Sequence, residues 1–277
     1  MRPTEFRDQN VVITGAASGI GRATAEAFAS RGARLFLCDL DRAGLDAIRA
    51  DLGDQVELAE VVDVGDRAAM KAFADAVHAR VPAADVVVNN AGIGQSGGIL
   101  ETPLDHWDRT LRVNLMGVIH GSHFFTPPMA ARRSGHIVNL SSMLGLYATP
   151  EAVAYVATKF AVLGMTLSMR ADLAKKGVRA TAICPGLIAT NIIEKTHFSP
   201  DREGMRARAD KTFKTRGTPP SAVAAAIIDV IGTDTAVRPV TTEAWVAWGV
   251  TRFAPRVVTD ALGRLAAKAQ ERLVTKS

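Results

Sequence analysis

Short β-branched runs alternate with longer stretches of helical periodicity along most of the chain. The runs fall at residues 11–14, 34–39, 56–62, 85–89, 136–140 and 179–184. Several are apolar at nearly every position, the pattern of strands covered on both faces. Between them, residues 19–31, 43–52, 66–80, 104–132 and 152–176 are each long enough for a helix. Such alternation predicts βαβ units and an α/β fold, a doubly wound parallel sheet in a three-layer αβα arrangement. From about 190 to 220 the text turns polar and is punctuated by Pro200, Gly204, Gly217, Pro219 and Pro220. That stretch reads as a substrate loop with a short helical lid, before a helix over 221–231. Residues 239–242 read as the last strand, and 243–253 and 255–276 as extra helices of a C-terminal extension, 243–277. No linker or internal repeat divides the chain, so one domain over 1–277 is expected.

Composition narrows the class. At 277 residues and 48% hydrophobic content the chain can bury a sizeable core, which excludes disorder as a whole. Charges or Gly/Pro break every apolar run well before eighteen residues, so no transmembrane span is expected. The start, Met1 to Asp8, has no apolar core of a secretory signal. Cys38 and Cys184 both lie in strand-like runs and read as buried thiols of a reducing compartment, which makes a cytoplasmic protein the expectation. They cannot build a disulfide framework or a four-ligand zinc site, and no metal is expected. The net charge of +5 is concentrated at the end: six basic residues face two acidic ones between Arg252 and Ser277. Cations gathered there, without a basic face carrying interleaved aromatics, argue against nucleic acid as a partner.

The first run leads straight into Thr14-Gly-Ala-Ala-Ser-Gly-Ile-Gly21 and then a helical pattern. Glycines at such a turn let a diphosphate approach the backbone, and the helix N-terminus offers N–H groups to it. The spacing is Gly-x3-Gly-x-Gly, and alone it also fits a plain glycine-rich turn. Asp39 closes the second run, where a carboxylate would accept from ribose hydroxyls and repel a 2′-phosphate. That favours NAD over NADP, with Arg22 and Arg42 near enough in sequence to weigh against it. Asp63, at the end of the third run, could meet the adenine amine.

Tyr147 and Tyr155 are the chain's only tyrosines, and Tyr155 is followed by Lys159 at i+4 in a helical pattern. Both side chains then share a helix face. A phenol ionises near 10, and a neighbouring ammonium favours the phenolate, so a lowered Tyr155 pKa is expected. Ser142 ends the strand thirteen residues earlier, at the edge where parallel sheets present ligands, and can donate to a carbonyl or alkoxide. Asn114 is polar amid apolar helix positions and by itself reads as a core amide. His120 and His123 lack a neighbouring carboxylate or thiol and read as core or surface residues.

Together these residues resemble the short-chain dehydrogenase/reductase family of Rossmann-fold oxidoreductases. The resemblance rests on Thr14 to Gly21, Asp63-Val64, Asn89-Asn-Ala-Gly92, Asn114, Ser142, Tyr155-Val-Ala-Thr-Lys159 and Pro185-Gly186, in order from residue 10 to about 190. It implies that Tyr155 is the general acid/base, that Lys159 lowers its pKa and binds the nicotinamide ribose, and that Ser142 polarises the substrate oxygen. Asn114 would hold a water linking Lys159 to solvent. Gly15, Ser18, Gly19, Ile20 and Gly21 would cradle the diphosphate, with Asp39, Asp63 and Val64 at the adenosine end. Asn90, Ala91 and Gly92 would pack beside the cofactor, and Pro185, Gly186, Ile188 and Thr190 would meet the nicotinamide.

The chain departs from many family members at its end, which lacks their closing Asp-Gly-Gly-like segment. The resemblance implies a homodimer or homotetramer; the departure weighs against the tetramer and leaves a dimer built from residues near 104–132 and 152–176. The last helical pattern is amphipathic and basic. Docking on protein is the reading adopted for it over peripheral attachment to an anionic membrane. Met143, Leu144, Tyr147, Ile192, Ile193 and Phe198, with Phe213, Trp245 or Trp248, are candidate pocket walls. They suggest a small, mostly apolar secondary alcohol or ketone, steroid-, terpenoid- or acyl-like. The alternatives are an NADPH-dependent 3-oxoacyl-type reductase and a catalytically idle dinucleotide-binding interaction protein.

Overall fold

The computed structural model describes residues 5–194, 196–198 and 204–253. The first half builds three βα units: β1 (Asn10–Thr14), α1 (Gly19–Ala29), β2 (Arg34–Asp39), α2 (Arg42–Leu52), β3 (Val56–Val61) and α3 (Arg67–His78). Next come β4 (Val86–Asn89), β5 (Gln95–Ser96), α4 (Leu104–Leu111), α5 (Gly117–Ala131), β6 (Gly135–Leu140), α6 (Val153–Leu173) and β7 (Val178–Cys184). The last described elements are β8 (His197–Phe198), α7 (Arg206–Arg216), α8 (Pro220–Val230), β9 (Val237–Pro239) and α9 (Thr242–Phe253). Seven strands form one sheet in the order β3-β2-β1-β4-β6-β7-β9, and every pairing is parallel. Strand order reverses between β1 and β4, so a crevice opens there at the C-terminal strand ends.

Near-continuous apolar runs are explained by the two-sided burial of this sheet. Val11 and Ile13 of β1, Leu35 and Leu37 of β2, and Val86 and Val88 of β4 point to one core, with Phe28 of α1, Leu45 and Ile48 of α2, and Ile227 of α8. The alternate residues Val12, Phe36, Cys38 and Val87 point to the other, with Phe73 of α3, Phe125 and Met129 of α5 and Leu173 of α6. Burying each such large side chain contributes about 1.5–3 kcal/mol. Charging either face would leave an ion without water, so period-two alternation between two cores fixes the register.

Three expectations are corrected. The helix over 104–132 is not uniform: a wider π turn, Arg112–Met116, separates α4 from α5. The final strand lies earlier than 239–242, ending at Pro239, because Thr242 already opens α9. The 190–220 stretch contributes a strand as well as a helix, since β8 pairs in parallel with β5. That pairing joins residues about a hundred apart and left no periodic trace. The predicted helix over 255–276 lies outside the described residues. Among the described residues no helix is long and apolar enough to cross a membrane.

Candidate active site

The glycine turn between β1 and α1 is shaped by contacts that only glycine admits. Gly15 has φ +67°, and a Cβ there would lie 2.8 Å from the Ala91 Cα. A Cβ on Gly21 would run into the Gly15 carbonyl and lie 2.6 Å from Asn90 Nδ2. Asn90 locks the turn to β4 by donating from Nδ2 to the Thr14 and Gly15 carbonyls, both at 3.0 Å. Thr14 Oγ1 in turn accepts from the Asn90 and Ala91 N–H groups at 3.1 Å.

The helix that follows differs from its neighbours at its N-terminus. The Asp41 carboxylate caps α2 and that of Asp66 caps α3. No side chain caps α1, and its first turn holds no acidic residue. The N-terminal N–H groups and the positive end of the helix dipole face the crevice, an arrangement that suits an anion. Asp39 at the end of β2 accepts from Ala17 N–H at 3.0 Å and Asp41 N–H at 3.1 Å. Its carboxylate retains lone pairs for further donors. Arg22 is held by Glu26 at 2.9 Å and by Asp51. These features fit the diphosphate and ribose of a nicotinamide dinucleotide.

Asp63 lies two residues beyond β3. Partial burial pushes its carboxyl up, but the Arg112 guanidinium and the Gly65 N–H more than offset this and hold it below the usual range. Arg112 comes from the π turn, which also carries Asn114.

A second constellation gathers on β6, α6 and the π turn. Lys159 is buried; its Nζ donates to the Leu140 carbonyl at 2.9 Å and lies 5.5 Å from the Tyr155 ring centroid. Burial lowers the Lys159 ammonium to about 8, with Cys184 acting the other way. Ser142 faces the Tyr155 phenol, whose ionised form it favours, and its Oγ accepts from Leu144 N–H at 3.1 Å. Burial of the phenol nevertheless raises its pKa, and Ser142 only partly offsets that. The expected lowering is thus reversed, because burial outweighs what the neighbouring groups offer the phenolate.

Asn114 is fully buried. Its Oδ1 accepts from Ile93 N–H at 2.8 Å, and its Nδ2 donates to the Ile93 carbonyl at 2.9 Å. It pins the Gly92–Ile93 turn, where a Cβ on Gly92 would lie 3.7 Å from Lys159 Nζ. Below the site, Asn89 Nδ2 donates to Asn139 Oδ1 at 2.8 Å, and Asn139 Nδ2 to Thr166 Oγ1 at 3.0 Å, tying β4, β6 and α6 together.

A cavity of about 860 Å³ joins the two constellations. Gly15, Ser18, Gly19, Ile20, Asp39, Asp63, Val64, Asn90, Ala91, Gly92, Ser142, Tyr155, Lys159, Pro185, Gly186, Ile188 and Thr190 all line it. Gly21 and Asn114 do not; they pack behind the lining. Of the candidate apolar walls, Met143, Leu144, Ile192, Ile193 and Phe213 line the cavity, whereas Tyr147, Phe198, Trp245 and Trp248 do not. Trp245 and Trp248 meet edge to face within α9 instead. His120 Nδ1 donates to the Val64 carbonyl at 2.9 Å, and His123 packs on Phe124.

Several residues at the site escaped the sequence reading. Glu243 accepts from Leu187 N–H at 3.0 Å and braces the turn after Pro185-Gly186. Arg109, Arg112, His197 and Arg206 line the cavity. The i, i+3 spacing of Arg109 and Arg112 just ahead of Asn114 was the available signal.

A family model for short chain dehydrogenases matches residues 9–199. The chain belongs to this family. Among its relatives, the probable oxidoreductase EphD of Mycobacterium tuberculosis is 41% identical over 262 residues, covering 91% of this chain and 44% of that protein. The chain therefore spans less than half the length of that relative. The 3-oxoacyl-acyl-carrier-protein reductase FabG of Thermotoga maritima is 37% identical over 187 residues, 66% of this chain and 76% of that protein. A short-chain dehydrogenase/reductase from Burkholderia phymatum, solved in complex with NAD, matches with a TM-score of 0.83 at 28% identity, over 90% of this chain and 94% of that one. The family is one of oxidoreductases that use NAD or NADP.

Proposed function

We propose that this chain moves a hydride between NAD(H) and a mostly apolar secondary alcohol or ketone, with Tyr155 as general acid/base. One observation carries the reading: the phenol of Tyr155, with Ser142 and the buried Lys159 ammonium beside it, lines the same cavity as the N-terminus of α1. The nicotinamide supplies the hydride chemistry when bound. The protein groups handle the matching proton. Ser142 donates to the substrate oxygen and holds it toward the phenol. Tyr155, protonated at neutral pH, gives its proton to the alkoxide as a carbonyl is reduced, and takes one back in the reverse direction. Lys159 attracts the phenolate so formed and offers its remaining donors to the nicotinamide ribose. Asn114, whose amide is committed to Ile93, acts as a positioning residue for Lys159 and the Gly92 turn.

The first turn of α1 with Gly15, Ser18, Gly19 and Ile20 takes the diphosphate. Asp39 takes the adenosine ribose, and Asp63 and Val64 flank the adenine. Arg22, tied to two carboxylates, is withdrawn from any 2′-phosphate, which supports NAD over NADP. Met143, Leu144, Ile192, Ile193 and Phe213 supply the apolar wall. We assign residues 190–220 to the substrate loop of one catalytic domain. The half-exposed Phe160 and Leu167 of α6 support a homodimer through α5 and α6.

Replacing Tyr155 by Phe tests the reading. Turnover of an alcohol and ketone panel, followed by nicotinamide absorbance, should disappear, while NADH affinity measured by fluorescence stays within about twofold, since the phenol contributes little to cofactor binding. A variant that oxidises an alcohol at the wild-type rate refutes the assignment. Running the panel with both cofactors separates NAD from NADP use.

A further inference from the structure

At the C-terminal edge of the sheet β7 runs into the turn at 185–187, and beside it β9 runs into α9. The two strands are parallel, with Ile183 opposite Arg238 and Cys184 opposite Pro239, and Val240 N–H donates to the Cys184 carbonyl at 3.3 Å. The chain leaving β9 therefore comes to lie against the chain leaving β7. A Cβ on Gly186 would run into Thr241 Oγ1 and lie 2.5 Å from Glu243 Oε1, so glycine is what lets the turn approach the start of α9.

Backbone groups hold two points of the turn. The Pro185 carbonyl accepts from Met143 N–H at 2.7 Å, and the Leu187 carbonyl accepts from Thr218 N–H at 2.9 Å. Leu187 N–H is held instead by a side chain, donating to the Glu243 carboxylate at 3.0 Å. Partial burial pushes that carboxyl up, but the Leu187 N–H, the N–H of Glu243 itself and Thr241 more than offset this and hold it below the usual range. Glu243 is thus an ionised acceptor at neutral pH, and a bond to a charged acceptor is about twice as strong as one between neutral groups. Pro185, Gly186 and Leu187 line the cavity, whereas Glu243 stands behind them.

We propose that Glu243 is a positioning residue for the nicotinamide: through Leu187 N–H it fixes the turn against which the nicotinamide ring rests. The proposal rests on the reading of this cavity as the dinucleotide site, with the nicotinamide at that turn. The two ends of the cofactor then depend on different parts of the fold. Diphosphate and adenosine rest on α1 and β2, in the half of the sheet away from β7 and β9, so the loss of Glu243 acts on the nicotinamide end. The rival role is a local one, an acidic residue in the first turn of α9 that favours the helix dipole.

The experiment separates these roles by titrating NADH and ADP-ribose, which lacks the nicotinamide ring, calorimetrically into the full chain. Wild type should bind NADH more tightly than ADP-ribose. Glu243→Ala should weaken NADH about tenfold, the scale of one charge-assisted bond, and leave ADP-ribose within about twofold. Glu243→Gln, whose amide oxygen can still accept from Leu187, should recover most of the loss. Parallel losses of both ligands, or no loss of either, overturn the proposal and leave Glu243 a residue of α9 alone. A Glu243→Gln protein that binds NADH no better than Glu243→Ala overturns it too. Equal binding of the two ligands by wild type refutes the placement of the nicotinamide at this turn, and the proposal with it. Because binding is read without turnover, selective loss of NADH in a protein that reduces no ketone refutes the hydride reading and leaves the positioning role standing.

Discussion

The end of β6 opposite Ser142 should weaken as a buried histidine is forced to take a proton. His136, on β6, is buried, and its ring bridges three segments. Thr181 Oγ1 spends its proton on the Thr235 carbonyl at 2.6 Å, so it can only accept from His136 Nε2, at 2.8 Å. His136 Nδ1 accepts from Gly232 N–H at 3.2 Å. The Thr181 bond fixes the proton on Nε2, and the Gly232 bond, in which Nδ1 accepts, demands the neutral ring. Burial, then the charges of Arg179 and Arg170, lower its pKa to about 4. In the unfolded chain the ring titrates near 6.5. The folded protein therefore holds a neutral ring over a window in which the unfolded chain binds a proton. Stability is full above about pH 6.5 and is lost as pH falls toward about 4, by roughly 3 kcal/mol in all. Urea unfolding from about pH 7.5 down to about 4.5 reads this loss. His136→Gln can keep a donor and an acceptor without titrating, and its stability should fall less steeply over that range. Parallel losses in wild type and variant would show that this ring is not the linked group.

Two further expectations concern the cofactor cradle. Gly21→Ala brings a Cβ against the Gly15 carbonyl and within 2.6 Å of Asn90 Nδ2, both parts of a rigid turn. It should cost about 1–3 kcal/mol of stability and weaken NADH binding together, by thermal melting and fluorescence titration; an unchanged melting point would mean the turn can relax. Asp39→Ser should lower kcat/KM with NADH by about tenfold and raise it with NADPH, as a charged acceptor for the ribose is lost and repulsion is relieved. A cofactor ratio that does not move would place the adenosine ribose elsewhere.

Legibility in the sequence divided along physical lines. The strands and helices of the doubly wound core could be read because both faces of each strand bury apolar residues, as Val12 against Val11 and Ile13 shows. The residues of the glycine turn and of Ser142, Tyr155 and Lys159 could be read because chain spacing itself places them on one helix face or one sheet edge. The β5–β8 pair and the contact between Arg109 and His197 could not, since 88 residues separate those two side chains and no local period relates them. The π turn was also hidden. It depends on how the segment from Arg112 to Met116 meets Asp63 and Ile93, and nothing in its composition distinguishes it from an ordinary helical turn. The direction of the Tyr155 shift depended on burial, which spacing does not report.

That reversal bears on how the proposed chemistry is balanced. Burial opposes the charged form of each partner, raising the Tyr155 phenol and lowering the Lys159 ammonium to about 8. The ammonium keeps an acceptor in the Leu140 carbonyl at 2.9 Å, and Ser142 beside the phenol favours its ionised form. At neutral pH the pair holds a neutral phenol and a cation, the state that can donate a proton to a nascent alkoxide. Once that proton leaves, two opposite charges share a site poor in water, where their attraction is stronger than in bulk solvent. A crowded phenol and a crowded ammonium thus each resist ionisation alone and favour it together. The cost of burial is recovered as the proton moves, so the proposed acid/base function of Tyr155 does not require a phenol already acidic at rest.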